Sequence, residues 1–480
     1  MNHNHVPVPT TALLLIALAA STLACGSDND SASESASTSP PTTEPQESAA
    51  TEPASPSTTN PVAETAAAPT TAPEGDWQSE VSSWCTDFNA SIADTAVVLD
   101  GTAEGYQQFV NDLRAQAVPW PDLAPFNLSA DTQARLDEVA GILDEGTARL
   151  DAVDTAAAGG DVESARRELD WAQDGSNRVQ GLIALAGATC DKAEPQRVEA
   201  AALNVPTSGL IFQINAGFGS IWASRNLTGD VLRIDPATGE TIATIAVGNT
   251  PQKLQAAGDR MWARTADRYV AIDPVTNTVA AELLKADVGP AANRSYAVDG
   301  ALWICDGETL HRYDPATLQS VATIPTGVTC GDIQATDDLV VAWTVEEVGG
   351  APAAAFVDPA TNQLITTVLL PAYSTRAAVL DDKVFIPGIA STAASVVDRS
   401  SWALESVELD QPTAADLTTT DGTRIYVPAE DHDRDILVID AESLEVVDRI
   451  PTLGNNAVAL LDGSLWTADS NYGLIQRHDI

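Results

Sequence analysis

Seven positions in the second half of the chain combine polar or charged side chains with a regular interval: Gln213, Lys253, Arg294, Asp332, Arg376, Asp416 and Ala457, with Asn456 as the alternative to the last. Each precedes an apolar anchor residue by about nine positions, and the anchors recur at a period near forty. Three of the seven are basic, and Lys253 is one of only four lysines in the chain. Cations that converge in a low-dielectric funnel raise the local concentration of an anion. Lys253, Arg294 and Arg376 are therefore candidate ligand-binding residues for a small anionic or polar molecule. In the competing reading they pair with Asp332 and Asp416 and keep a channel mouth soluble.

Few other residues offer chemistry. Beyond the first 25 positions the histidines are His311, His432 and His478. His311 and His478 fall beside a repeated Asp, which gives them framework roles. The run Glu430-Asp431-His432-Asp433-Arg434-Asp435 begins like a calcium loop but has Ile436 where the turn glycine belongs, so it reads as a solvated acidic loop. No Ser-His-Asp arrangement, HExxH, CxxCH or phosphate loop is present. No catalytic residue, metal ligand or cofactor is assigned.

The composition narrows the partners. With 24 Lys and Arg against 68 Asp and Glu over 480 residues, the formal net charge is −44. That leaves too little basic surface for nucleic acid. The 44% hydrophobic fraction is ample for a sizeable core.

Residues 11–24 form an apolar run of 14, too short to span a bilayer and of the length of a signal-peptide core. It ends Thr22-Leu23-Ala24-Cys25, which resembles the lipobox of bacterial lipoproteins. The resemblance implies cleavage before Cys25, lipidation of its thiol and anchoring to the outside of the bacterial cell membrane. The n-region departs from that pattern in having no Lys or Arg. Residues 26–76 then contain 36 Ser, Thr, Pro or Ala, nine acids, no aromatic residue and no Lys or Arg. Such a segment cannot bury enough apolar surface to offset its ordering entropy, and it reads as a disordered tether spanning roughly 40 Å.

From residue 77 to 197 the apolar spacing becomes helical. Leu136, Val139, Leu143, Leu150 and Val153 form one seam, and Val162, Leu169, Ala172, Val179 and Ile183 another. Gly159-Gly160-Asp161 separates them as a breaker followed by an N-cap. Two earlier stretches, 79–99 and 102–117, add helices. Cys85 and Cys190 bracket this bundle and read as a disulfide across its ends.

From residue 198 the chain repeats. Asp recurs at 235, 273, 314, 358, 398, 440 and 479, each behind an anchor: Trp222, Trp262, Trp303, Val341, Phe385, Tyr426 or Trp466. Four strands at such a period are the signature of a propeller blade. Asp at the end of the third strand caps the next turn through backbone N–H groups. The stretch 231–248, VLRIDPATGETIATIAVG, resembles the YVTN/NHL-type repeat of bacterial β-propellers. That family includes binding proteins, lactonases and streptogramin lyases, so the resemblance speaks to fold more than to activity.

The seventh unit ends at Ile480 without a fourth strand, and residues 198–209 parallel the fourth strand at 319–327. The front strand therefore closes the ring. With second strands ending and first strands opening on one face, Cys305 and Cys330 of adjacent units read as a second disulfide.

The expected architecture is an all-β seven-bladed β-propeller with four-stranded blades (198–480), preceded by a signal peptide (1–24), a disordered tether (25–76) and a small α-helical bundle (77–197). The function that fits is a cell-surface lipoprotein that binds an extracellular protein partner or polar ligand without catalysis. The alternative is an extracytoplasmic hydrolase or lyase using the central pocket.

Overall fold

The structure, a computed structural model, describes residues 76–93, 101–190, 193–289, 291–298, 300–345, 351–374, 376–414, 418–429, 435–453, 457–469 and 472–480. Cys25 and nearly all of the tether lie outside the described residues.

Four helices come first: α1 (Asp76–Ala93), α2 (Ala103–Ala115), α3 (Ala130–Ala158) and α4 (Val162–Ala186). The starts of α2, α3 and α4 are capped by side chains. Thr102, Ser129 and Asp161 accept from the backbone N–H groups of Gly105, Thr132 and Ser164. Gly187, at φ 100°, ends α4 in the left-handed region. The two seams meet in one core that includes Leu136, Leu150, Leu169 and Ile183. Trp84 stacks on Phe88 at 4.9 Å and meets Trp120 edge-on at 4.7 Å. Cys85 and Cys190 are bonded, with Cα atoms 5.4 Å apart.

Seven four-stranded antiparallel sheets follow. Blades 1 to 6 cover 211–246, 253–284, 292–325, 332–369, 378–408 and 419–450. Blade 7 has three strands from 457–479 and takes Leu203–Pro206 as its fourth, in register from Leu203 opposite Arg477 to Pro206 opposite Leu474. The closing strand is shorter than the segment 198–209 singled out in the sequence. Pro195 opens a short helix, α5 (Pro195–Glu199), ahead of it, because proline's fixed φ suits a first helical turn.

The repeated Asp does the same work in six blades. Asp235 Oδ1 accepts from Ala237 N at 2.8 Å and Thr238 N at 3.0 Å, and Asp273, Asp314, Asp358, Asp398 and Asp440 repeat this geometry. Donors converging on one oxygen favour the charged form. The hydroxyls of Ser400 and Ser401, with their N–H groups, hold Asp398 at a pKa of about 2.

The anchors are buried between blades, and three of them share a further device. Trp222, Trp303 and Trp466 each face an arginine across the sheet: Arg233, Arg312 and Arg477. The guanidinium carbons of Arg233 and Arg312 lie 5.2 Å from the centroids of their tryptophan rings. Each arginine then reaches into the Asp-Pro turn of the next blade. Arg233 donates to Pro274 O and Asn277 Oδ1, Arg312 to Pro359 O and Asn362 Oδ1, and Arg477 to Pro236 O. The staples therefore join blade 7 to 1, 1 to 2 and 3 to 4.

Candidate functional site

The first strand of each blade opens on one face of the disc, and there the structure gathers part of the predicted ring. Lys253 Nζ, 4% exposed, is bonded to Asp332 Oδ1. The pair joins blade 2 to blade 4 across the position of blade 3. Asp332 Oδ1 also accepts from Ile333 N at 2.8 Å. Gln213 turns its Oε1 to Leu254 N at 2.8 Å and ties blade 1 to blade 2.

Arg376 is buried ahead of the first strand of blade 5. Arg294 lies on the first strand of blade 3 and Ala457 opens that of blade 7. The Arg294 side chain, Asp416, Asn456 and residues 430–434 of the acidic loop lie outside the described residues. Of the three predicted cations, Lys253 is neutralised by a carboxylate, and its buried cross-strand neighbour Arg264 donates to Gln252 Oε1.

The same face carries Cys305 bonded to Cys330, with Cα atoms 5.6 Å apart, between blades 3 and 4. Both cysteine pairs fit an oxidising, extracytoplasmic compartment. Among the described residues no helix is long and apolar enough to cross a membrane.

The helical bundle sits on this face too, over blades 6, 7 and 1. Asp174 of α4, 3% exposed, accepts from Gly209 N at 3.0 Å and Leu210 N at 2.8 Å, immediately before blade 1. Its burial pushes the carboxyl pKa up, and the two N–H donors and Arg178 pull against that shift. A Cβ on Gly181 would stand 2.1 Å from the Tyr472 carbonyl oxygen, so the helix backbone lies directly on blade 7. Ala184, Ala193, Val198, Leu453, Tyr472 and Leu474 form the apolar seam between them. Arg197 donates to Asp435 and to Thr452 O, both at 2.9 Å.

The opposite face carries a groove of about 720 Å³ across blades 4, 5 and 6. It runs from Gln334, at the end of the first strand of blade 4, to Glu442, in the third turn of blade 6. The first strands of blades 5 and 6, Ala378–Val379 and Thr419–Thr420, are two residues long, whereas those of blades 1, 2, 3 and 7 run five to seven. Both short strands line the groove. Lys383 bridges it, with Nζ 3.1 Å from Ala441 O and 3.5 Å from an Asp382 oxygen.

Counting from the anchors led to the mouth and missed this groove. The signal that marks it is the break in the anchor series, where Val341, Phe385 and Tyr426 replace tryptophan in the three blades that line it.

No family model matches the chain, and no curated protein matches it in sequence. Among solved structures, Kuenenia stuttgartiensis hydrazine synthase is similar at 13% identity and TM-score 0.46, covering 57% of this chain and 96% of that one. BamB from Moraxella catarrhalis is similar at 14% identity and TM-score 0.42, covering 56% of this chain and 85% of that one. At these values neither likeness carries an argument about activity.

Proposed function

We propose that this protein is an extracytoplasmic lipoprotein, anchored through Cys25 and held off the membrane by residues 25–76, whose propeller binds a partner through the groove of blades 4 to 6. One observation carries the reading: the groove opens on the face opposite the helical bundle. The tether leads into that bundle, so the groove side is the one left clear of the attachment. A cavity lined by hydroxyl, amide and carboxylate groups recognises polar ligands by hydrogen bonding.

The reading is tested in the producing cells. A photo-crosslinking residue at Thr419 in the groove is compared with one at Glu240, on the same face in blade 1. A discrete adduct from position 419 and none from position 240 is the expected result. Adducts of equal yield from both positions, or none from 419, overturn it. Labelled palmitate should mark the native chain and not Cys25→Ser; equal labelling of the two removes the anchor from the proposal.

A further inference from the structure

The groove's rim and floor point to one chemical class of partner, an inference that rests on the binding role just proposed. Its rim carries Asp381, Asp382, Asp440 and Glu442 against one lysine, Lys383. That lysine is already held by Ala441 O and Asp382, at 3.1 and 3.5 Å. These residues line a volume of about 720 Å³ bordered by three blades.

Hydroxyl side chains line the rest of it: Thr336, Thr419, Thr420 and Thr423 border the groove beside the buried Thr418. The walls supply backbone. Ala378–Val379 and Thr419–Thr420 are the inner edge strands of their sheets, each paired on one side only. An extended segment laid along such an edge gains main-chain hydrogen bonds, and its alternate side chains read the pocket.

We infer that the groove takes an extended, basic peptide segment of a partner protein, with its Lys or Arg side chains on the Asp381–Asp382 and Glu442 rim and its backbone along the short inner strands. Asp440 already caps its own turn and takes no direct part.

The chain carries a formal charge of −44, so attraction of basic peptides to the whole surface is the effect to be separated. The purified chain without its leader is titrated with a fluorescent ten-residue peptide of alternating Lys and Thr, with the matching Glu-Thr peptide, and with spermine. The variants are Asp381→Asn/Asp382→Asn/Glu442→Gln, a control that removes the same charge from blades 1 to 3 (Glu240→Gln/Asp259→Asn/Glu308→Gln), and Thr420→Trp to fill the groove. Circular dichroism and melting temperature establish that each variant is folded.

The expected result is at least a tenfold loss of Lys-Thr affinity in the rim variant and in Thr420→Trp, less than twofold in the control, and no measurable binding of the Glu-Thr peptide. Equal losses in rim and control variants show a diffuse field and overturn the inference. So does spermine binding with the same affinity and the same response to Thr420→Trp, which would mark a site for small amines. If cross-linking at position 419 succeeds and the cross-linked segment of the partner is neutral or acidic, the binding role stands and the basic-peptide inference alone falls.

Discussion

The two sides of the ring are built from the same repeat and closed in different ways. Around blades 7, 1, 2 and 3 every anchor is a tryptophan, and three of the four anchors pair with an arginine that reaches the next blade's Asp-Pro turn. In blades 4, 5 and 6 the equivalent cross-strand pairs are Val341 with Phe356, Phe385 with Val396, and Tyr426 with Val438. These are apolar or uncharged and carry no arginine; the side-chain links between these blades come from elsewhere, with Arg399 of blade 5 on Asp338 of blade 4 at 2.6 Å and Lys383 of blade 5 on Ala441 O of blade 6 at 3.1 Å. The inner strands shrink on that same side, and the groove lies there. The lesson is that a propeller can keep its period in every blade and its capping Asp in six, and still divide into a sector closed by Trp–Arg staples and one closed without them. The bundle sits mainly on the stapled sector, where the ring is closed by the front strand.

Four measurements would break or sharpen this contrast. The largest effect is expected from the anchors. Trp303→Ala should lower unfolding free energy by about 3–5 kcal/mol and Val341→Ala by about 1–2 kcal/mol, since the cavity left scales with the side chain removed. Similar losses by denaturant titration would show that the anchors are equivalent.

Next comes the disulfide at the border between the sectors. It closes a separation of 25 residues, and Cys305→Ser/Cys330→Ser should cost about 3 kcal/mol. A change below about 1 kcal/mol would mean that the packing of blades 3 and 4 holds this border without it.

Third, Arg312→Ala strands Pro359 O and Asn362 Oδ1 and should cost about 2–3 kcal/mol. Amide exchange should then quicken in the blade 4 turn, while in the native chain it is already faster in Ala378–Val379 and Thr419–Thr420 than in the first strands of blades 3 and 7. Uniform protection across the ring would erase the distinction between sectors.

Two further effects are expected in acid, one from each side. Burial pushes His478, in blade 7, down to about 4 from 6.5. Its folded pKa lies below its unfolded one, so the unfolded chain binds more protons between those values. The associated stability is complete above pH 6.5 and is lost as the pH falls to about 4. Asp398, in blade 5, is held at about 2 against 3.8, so its contribution is complete above pH 3.8 and is lost as the pH falls to about 2. Melting curves against pH should lose the first step in His478→Gln and the second in Asp398→Asn. A native profile with neither step would contradict both assignments.

Much of the framework was legible beforehand because it is local. Asp235 and its five counterparts cap turns two and three residues away, so their spacing alone announces the turn. Gly159-Gly160-Asp161 marks the break between α3 and α4 for the same reason. The two cysteine pairs followed once helices and blades had been placed. Contacts between blades were less legible. The sequence shows Arg233, Arg312 and Arg477 two places before the repeated Asp, but nothing local says that their guanidiniums leave their own blade. Lys253 and Asp332 were named as candidates from counting, and their meeting across blade 3 depends on how the ring closes.

By itself, then, the sequence determined the number of blades, their order, the capping residue and the segment that holds the closing strand. The blades and their caps are carried by hydrogen bonds and apolar alternation within about forty residues, and the closing segment was legible through its likeness to another fourth strand although it pairs with Leu474–Arg477 at the far end of the ring. Tertiary structure alone decided which face the bundle covers, which blades are stapled and where the groove opens. Those depend on Asp174 meeting Gly209, Arg312 meeting Pro359 and the space left where blades 4, 5 and 6 adjoin. The first two contacts join separate units, helix to blade and blade to blade, and the groove exists only between blades. No pattern within one repeat encodes how neighbouring blades meet.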